Sequence, residues 1–124
     1  MGILLRLPPE VEADDLQKRM VAWCYGAHLS FPGSVPAFQG ERNTPLVRAL
    51  LRAIRANGGR PHFKLKTGTS DMNIVGPVWG CPIVAYGPGD SSLDHGPGEH
   101  VEIEEYQRSI QVLACALGTV AGSI

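Results

Sequence analysis

The sequence has no excess of basic residues: 11 Lys and Arg stand against 12 Asp and Glu, for a formal net charge of -1. A nucleic-acid partner normally demands a basic face, so this balance argues against one. It also has no apolar run approaching the roughly 20 residues needed to cross a bilayer, so no membrane association is expected. The opening Met1-Gly2-Ile3-Leu4-Leu5 is short and soon followed by Pro8-Pro9, so it is not expected to serve as a secretory signal. Cysteine is scarce: Cys24, Cys81 and Cys115 are far apart and odd in number, offering neither a CxxC knuckle nor a disulfide framework. A reducing, cytoplasmic compartment is the simplest reading, with the three thiols expected as small buried apolar side chains. No HxH, HxD or HExxH pattern occurs, and neither GxxxxGK nor GxGxxG is present to cradle a phosphate.

What is present is a globular composition. Hydrophobic residues make up 44% and charged residues 19% of 124 positions, enough for one modest core. Residues 2–7 read as a short strand. Residues 12–25 read as a helix, with Leu16, Met20 and Trp23 at helical spacing and Asp14 and Asp15 suiting its start. Residues 27–31 read as a second strand. Asn43-Thr44-Pro45 predicts a helix start, since Asn43 or Thr44 can cap exposed N–H groups and Pro45 has none to satisfy. Leu46, Val47, Leu50, Leu51 and Ile54 form the apolar stripe of that helix, and Arg48, Arg52 and Arg55 its solvated face. Residues 61–66 and 81–86 read as strands, and 101–117 as a closing helix with Ile103, Tyr106, Ile110, Leu113 and Leu117 on one face. Strands alternating with helices predict an α/β fold.

Two polar loops follow the strands of the second half, 67–73 and 87–95. In open α/β sheets ligands bind at the carboxyl ends of strands, which is where both loops would lie. His95 is the most informative residue, because imidazole is the commonest metal-ligating side chain. From spacing alone it is equally a surface histidine, as are His28, His62 and His100. Gly87-Pro88-Gly89 offers bare backbone N–H groups to an anion, or is simply a tight turn. Glu99, Glu102, Glu104 and Glu105 gather at the expected start of the last helix, where the helix dipole favours acids.

The runs Lys66-Thr67-Gly68-Thr69-Ser70-Asp71-Met72-Asn73 and Gly87-Pro88-Gly89-Asp90-Ser91-Ser92-Leu93-Asp94-His95, with Glu99-His100-Val101, carry a resemblance. They resemble the C-terminal third of the acetylornithine deacetylase, succinyl-diaminopimelate desuccinylase and carboxypeptidase G family. The likeness is greatest to the branch that releases lysine or ornithine from an amino-group carrier protein. Leu5-Arg6-Leu7-Pro8-Pro9 and Gly40-Glu41-Arg42-Asn43-Thr44-Pro45 are similar to that branch too.

The resemblance implies a zinc-peptidase-like α/β catalytic domain holding two zinc or cobalt ions, with an inserted βαββαβ lid that mediates homodimerisation. Residues 1–37 would be the second half of the lid and 38–124 the last part of the catalytic domain. His95 matches the family's final metal-ligating histidine. Gly68, Thr69, Ser70, Asp71, Gly87 and Gly89 would shape the pocket for the released amino acid's carboxylate. Arg42, Asn43 and Lys66 are candidates for pairing with acidic or polar substrate groups. The substrate would be an amino-group carrier protein or a small N-acyl amino acid. The reaction would be hydrolysis of an amide by a metal-bound water, with a glutamate as base. The family's His-x-Asp pair, its bridging Asp and its Glu-Glu pair are absent from this sequence, so they are expected in an N-terminal part that would precede it. Leu4 stands where the lid strand usually has an Asp, and Gly96 and Gly98 where larger residues are usual. Two readings therefore stand side by side. One is the C-terminal fragment of a metal-dependent amidohydrolase; the other is a catalytically inactive structural or interaction module retaining this part of the fold.

Overall fold

A computed structural model describes residues 2–66 and 68–122. They form four helices: α1 (Ala13–Trp23), α2 (Pro45–Ala56), α3 (Asp71–Trp79) and α4 (Ile103–Ala121). The chain divides into two units, Met1–Gly40 with Leu65–Cys81, and Glu41–Lys64 with Pro82–Ile124.

The second unit contains the core. Thr44 takes the cap of α2, its Oγ1 accepting the Val47 N–H at 3.1 Å, and Pro45 follows in the first turn. Of the predicted stripe, Val47 and Leu50 are buried, and Ala49 and Ala53 join them. Arg48, Arg52 and Arg55 face solvent as expected. Helix α4 meets α2 through small residues: Ser109, Val112 and Ala116, spaced three and four apart, are its buried positions. Leu50, Ala53, Val112 and Ala116 form one cluster, and Val84 and Tyr86 pack against it. The buried Ser109 hydroxyl is satisfied by donating to the Tyr106 carbonyl at 2.7 Å.

This seam leaves the predicted α4 stripe outside. Ile103, Tyr106, Ile110, Leu113 and Leu117 are 73%, 53%, 51%, 41% and 61% exposed, so the helix's larger apolar face is uncovered. The cysteines correct the sequence reading as well. Cys81 and Cys115 are exposed and Cys24 half-buried, because the small-residue seam of α4 turns Cys115 outward and Cys81 directly follows the end of α3.

In the first unit, α1 begins with Asp14 and Asp15 as predicted but buries no residue. Its Lys18–Asp15 ion pair, at 3.2 Å, is exposed and contributes little. Helix α3 was not foreseen, since residues 67–73 read as one polar loop. Ser70 starts it: its N–H donates to Asn73 Oδ1 at 2.9 Å, the reciprocal half of a capping box. Asn73 also donates from Nδ2 to the Pro36 carbonyl at 2.9 Å, tying the helix to the preceding segment. Pro77 costs α3 one internal hydrogen bond, and Gly80, at φ 60°, closes it in the left-handed conformation.

Gly76 is the buried position of α3 and lies on the Phe38 ring. A Cβ there would come 2.4 Å from Phe38 Cζ. Gly76→Ala is therefore expected to destabilise this unit by about 1–3 kcal/mol, the cost of overpacking. Hydrogen exchange of the α3 amides in the single and double variants checks this: Phe38→Ala should make the Gly76 substitution nearly neutral. Equal losses with and without Phe38 would contradict the contact.

The predicted strands form no ladder. Among the described residues there is no strand, and 2–7, 27–31, 61–66 and 81–86 are irregular. The α/β class is therefore not seen among these elements, which are all helical. A strand's N–H and C=O groups are satisfied only by a neighbouring strand, and these segments do not supply one another with partners. Segment 81–86 keeps the period of a strand none the less: Val84 and Tyr86 face the core while Ala85 between them is exposed.

Candidate functional site

The His95 loop, residues 90–99, is built from three consecutive turns. Leu93 N–H donates to the Asp90 carbonyl at 3.0 Å, Gly96 N–H to Leu93 at 3.1 Å, and Glu99 N–H to Gly96 at 3.1 Å. Asp90 adds a local anchor, its Oδ1 accepting the Ser92 N–H at 3.0 Å. That backbone bond, then the Ser92 hydroxyl, holds the Asp90 carboxyl below the usual carboxylate range, and Lys64, 3.9 Å away, adds to it. A lowered value means the contribution is present above the unfolded value of about 3.9 and is lost as pH falls through the folded one.

His95 is exposed and, among the described residues, is the non-glycine residue with positive φ, at 65°. Left-handed backbone costs an ordinary residue about 1–2 kcal/mol, less for His than for a branched side chain. Its N–H donates to Glu99 Oε2 at 3.0 Å. The sequence assigned Glu99 to the start of the last helix, but α4 begins only at Ile103, and its first-turn acids are Glu104 and Glu105. Glu99 is thus engaged with the loop. The signal available was the stretch Gly96-Pro97-Gly98 of turn-forming residues between His95 and Glu99.

The other candidates of this unit are each held locally. Arg42 lies over the Phe63 ring at 5.3 Å, a cation–π contact that orients its guanidinium. Asn43 Oδ1 accepts from Arg48 Nη1 at 2.7 Å. Gly89 has φ 95°, a conformation that a side chain would strain, whereas Gly87 is surrounded by open space. Beside them, burial pushes the Tyr86 phenol up, and Glu105 adds to the effect.

Lys66, Gly68, Thr69, Ser70 and Asp71 belong to the other unit. Ser70 and Asp71 form the start of α3, where Asp71 meets the positive end of the helix dipole. Thr67 lies outside the described residues. The candidates thus fall into two groups: Arg42, Asn43, Gly87, Gly89 and His95, and separately residues 66–71.

Among the described residues no three His, Cys, Asp or Glu side chains gather as a metal site. A catalytic zinc needs about three protein ligands and a water, so the donors of this chain do not by themselves complete a zinc or cobalt centre. One surface hollow, of about 230 Å³, is lined by Pro45, Arg48, Ala49, Arg52, Thr119 and Val120, and another, of about 390 Å³, by Asp14, Gln17, Lys18, Val21 and Phe31. No described helix is long and apolar enough to cross a membrane.

Residues 11–119 match peptidase family M20/M25/M40. The LysW-lysine hydrolase of Deinococcus radiodurans is 46% identical over 121 residues, 95% of this chain and 33% of that protein. The putative LysW-lysine/LysW-ornithine hydrolase of Thermococcus kodakarensis is 54% identical over 89 residues, 72% of this chain and 26% of that protein. Its counterpart in Pyrococcus furiosus is 52% identical over 83 residues, 67% of this chain and 26% of that protein. The chain spans about a quarter to a third of the length of these curated relatives. With a family match covering most of its length, the chain belongs to peptidase family M20/M25/M40.

Proposed function

We propose that this chain is the C-terminal third of a metal-dependent amide hydrolase that releases lysine or ornithine from the amino-group carrier protein LysW. The observation that carries the reading is the 46% identity to a LysW-lysine hydrolase across 95% of the chain. Deacylation of a small N-acyl amino acid is the same chemistry on another substrate and remains a variant of this reading.

His95 contributes one imidazole to a centre whose remaining ligands lie on the part of the protein that this chain does not include. Zinc or cobalt supplies the activated water there. The residues of this chain bind and orient. Gly87 and Gly89 present bare backbone to the carboxylate of the released amino acid, and residues 68–71, in the other unit, are further substrate-binding candidates. Arg42, Asn43 and Lys66 face the polar groups of the substrate. Residues 1–37 complete the lid and dimerisation domain, and 38–124 belong to the catalytic domain, in the cytoplasm. Segments 2–7 and 27–31 become strands of the lid, and 61–66 and 81–86 strands of the catalytic α/β sheet, once neighbouring strands are supplied. The side-chain period of 81–86 and the uncovered α4 face support this.

The purified chain tests the division of labour. With zinc or cobalt added, it is expected to hydrolyse neither N-acetyl-ornithine nor lysine-loaded LysW above the rate of its His95→Ala variant. Turnover clearly above that control would show a self-sufficient enzyme and overturn the reading.

A further inference from the structure

We propose that Glu99 is a positioning residue for His95, holding its main chain in the left-handed conformation and so fixing the direction in which the imidazole leaves the loop. The inference rests on the reading of His95 as a metal ligand and names a residue that serves it.

The geometry is specific. The turn from Leu93 to Gly96 is closed by the Gly96 N–H on the Leu93 carbonyl at 3.1 Å, and His95 occupies its third position. A positive φ at that place marks a turn for which Gly or Asn is the usual residue. Here it is a histidine at 65°, with the glycine one position later. The turn does not use the His95 N–H, which donates instead to Glu99 Oε2 at 3.0 Å. Glu99 reaches back because its own N–H closes the next turn on the Gly96 carbonyl at 3.1 Å. The carboxylate is therefore fixed at its backbone by the same loop whose conformation it stabilises.

Other tasks for Glu99 are less consistent with its place. It precedes Glu102, the residue that caps α4, by three positions, whereas the helix dipole acts within the first turn. The nearby His100 has its own partners, with Nδ1 2.7 Å from the Gly98 carbonyl and Nε2 3.5 Å from Glu102. A metal ligand has to be held within about half an ångström and 10–20° of its working geometry, and partners one shell out commonly provide that hold. Glu99 provides it through the main chain.

The test compares the unsubstituted chain with Glu99→Ala and Glu99→Gln, since the glutamine amide oxygen still accepts the N–H but carries no charge. Hydrogen exchange of the His95 amide, read by NMR in this chain joined to the part of the Deinococcus radiodurans relative that it does not match, should be about tenfold faster in Glu99→Ala, the fold-change of losing one charge-assisted bond. It should be nearly unchanged in Glu99→Gln. Equal exchange in the unsubstituted chain and Glu99→Ala, or no protection in any form, overturns the proposal. Cobalt affinity is then measured on the same joined forms. Glu99→Ala should bind about 10–100-fold more weakly, with Glu99→Gln close to the unsubstituted protein. Equal weakening by Ala and Gln would assign the effect to charge alone and overturn the proposal. Cobalt affinity untouched by His95→Ala would instead sink the reading of His95 as a ligand, leaving the amide exchange to decide whether Glu99 holds the backbone.

Discussion

Alone in solution, the 124-residue chain is expected to melt without a sharp cooperative transition and to bind a hydrophobic dye. Among the described residues the buried apolar side chains are Val47, Ala49, Leu50, Ala53, Val112 and Ala116, all on one helix pair, and three of them are alanines. Full burial of a Val or Leu contributes about 1.5–3 kcal/mol, so a seam of this size stabilises little against the entropy of ordering the chain. Helix α1 buries nothing, and the α4 face from Ile103 to Leu117 stays in water. Uncovered apolar faces of this kind mark surfaces meant for a partner. Under the proposal that partner is the rest of the hydrolase. Ile110→Ser and Leu113→Ser should then leave the isolated chain unchanged, since both side chains are already exposed. In the joined protein each should cost about 1.5–3 kcal/mol, the value of an apolar side chain taken out of water. Calorimetry and dye binding on both forms check this. A monodisperse monomer with a sharp melt and no dye binding would contradict it.

The second large effect is at His95. In the joined protein, His95→Ala should lower turnover by more than the roughly 10–100-fold that loss of an outer-shell partner costs, because under the proposal it removes a ligand itself. In the isolated chain the same substitution should barely change zinc affinity. A single exposed imidazole holds zinc weakly, and no group of three donor side chains gathers among the described residues. Parallel titrations with a zinc indicator, and kinetics on the joined protein, read both halves of this expectation. Strong zinc binding by the isolated chain that depends on His95 would mean that the chain supplies more ligands than its sequence suggests.

The helices α1, α2 and α4 were legible because their signals are local. Thr44-Pro45 starts α2 and Asp14-Asp15 starts α1, each by satisfying or complementing exposed N–H groups within one turn. Helix α3 escaped notice because Ser70–Asn73 is a capping box written with Asn in place of Glu or Gln, and Pro77 interrupts its pattern. The strands were read from apolar runs, but a run does not name the neighbour that would complete its ladder, and none is present among the described residues. On α4 the period was read correctly and the burial was not. Periodicity identifies an apolar face, while packing chose the narrower face of Ser109, Val112 and Ala116, where small side chains let α2 approach. At the site, His95 stood out by family likeness. Its positive φ and its bond to Glu99 depend on three consecutive turns, which no residue spacing displays.

The central claim, that this chain is the C-terminal third of a LysW-lysine or LysW-ornithine hydrolase, is tested most directly by one measurement. This chain is joined to the part of the Deinococcus radiodurans relative that it does not match, and lysine release from lysine-loaded LysW is followed by mass spectrometry with and without a chelator. The account predicts release that requires both pieces, stops with the chelator and is abolished by His95→Ala. Release by this chain alone, or none from a joined protein that folds and binds metal, would contradict it.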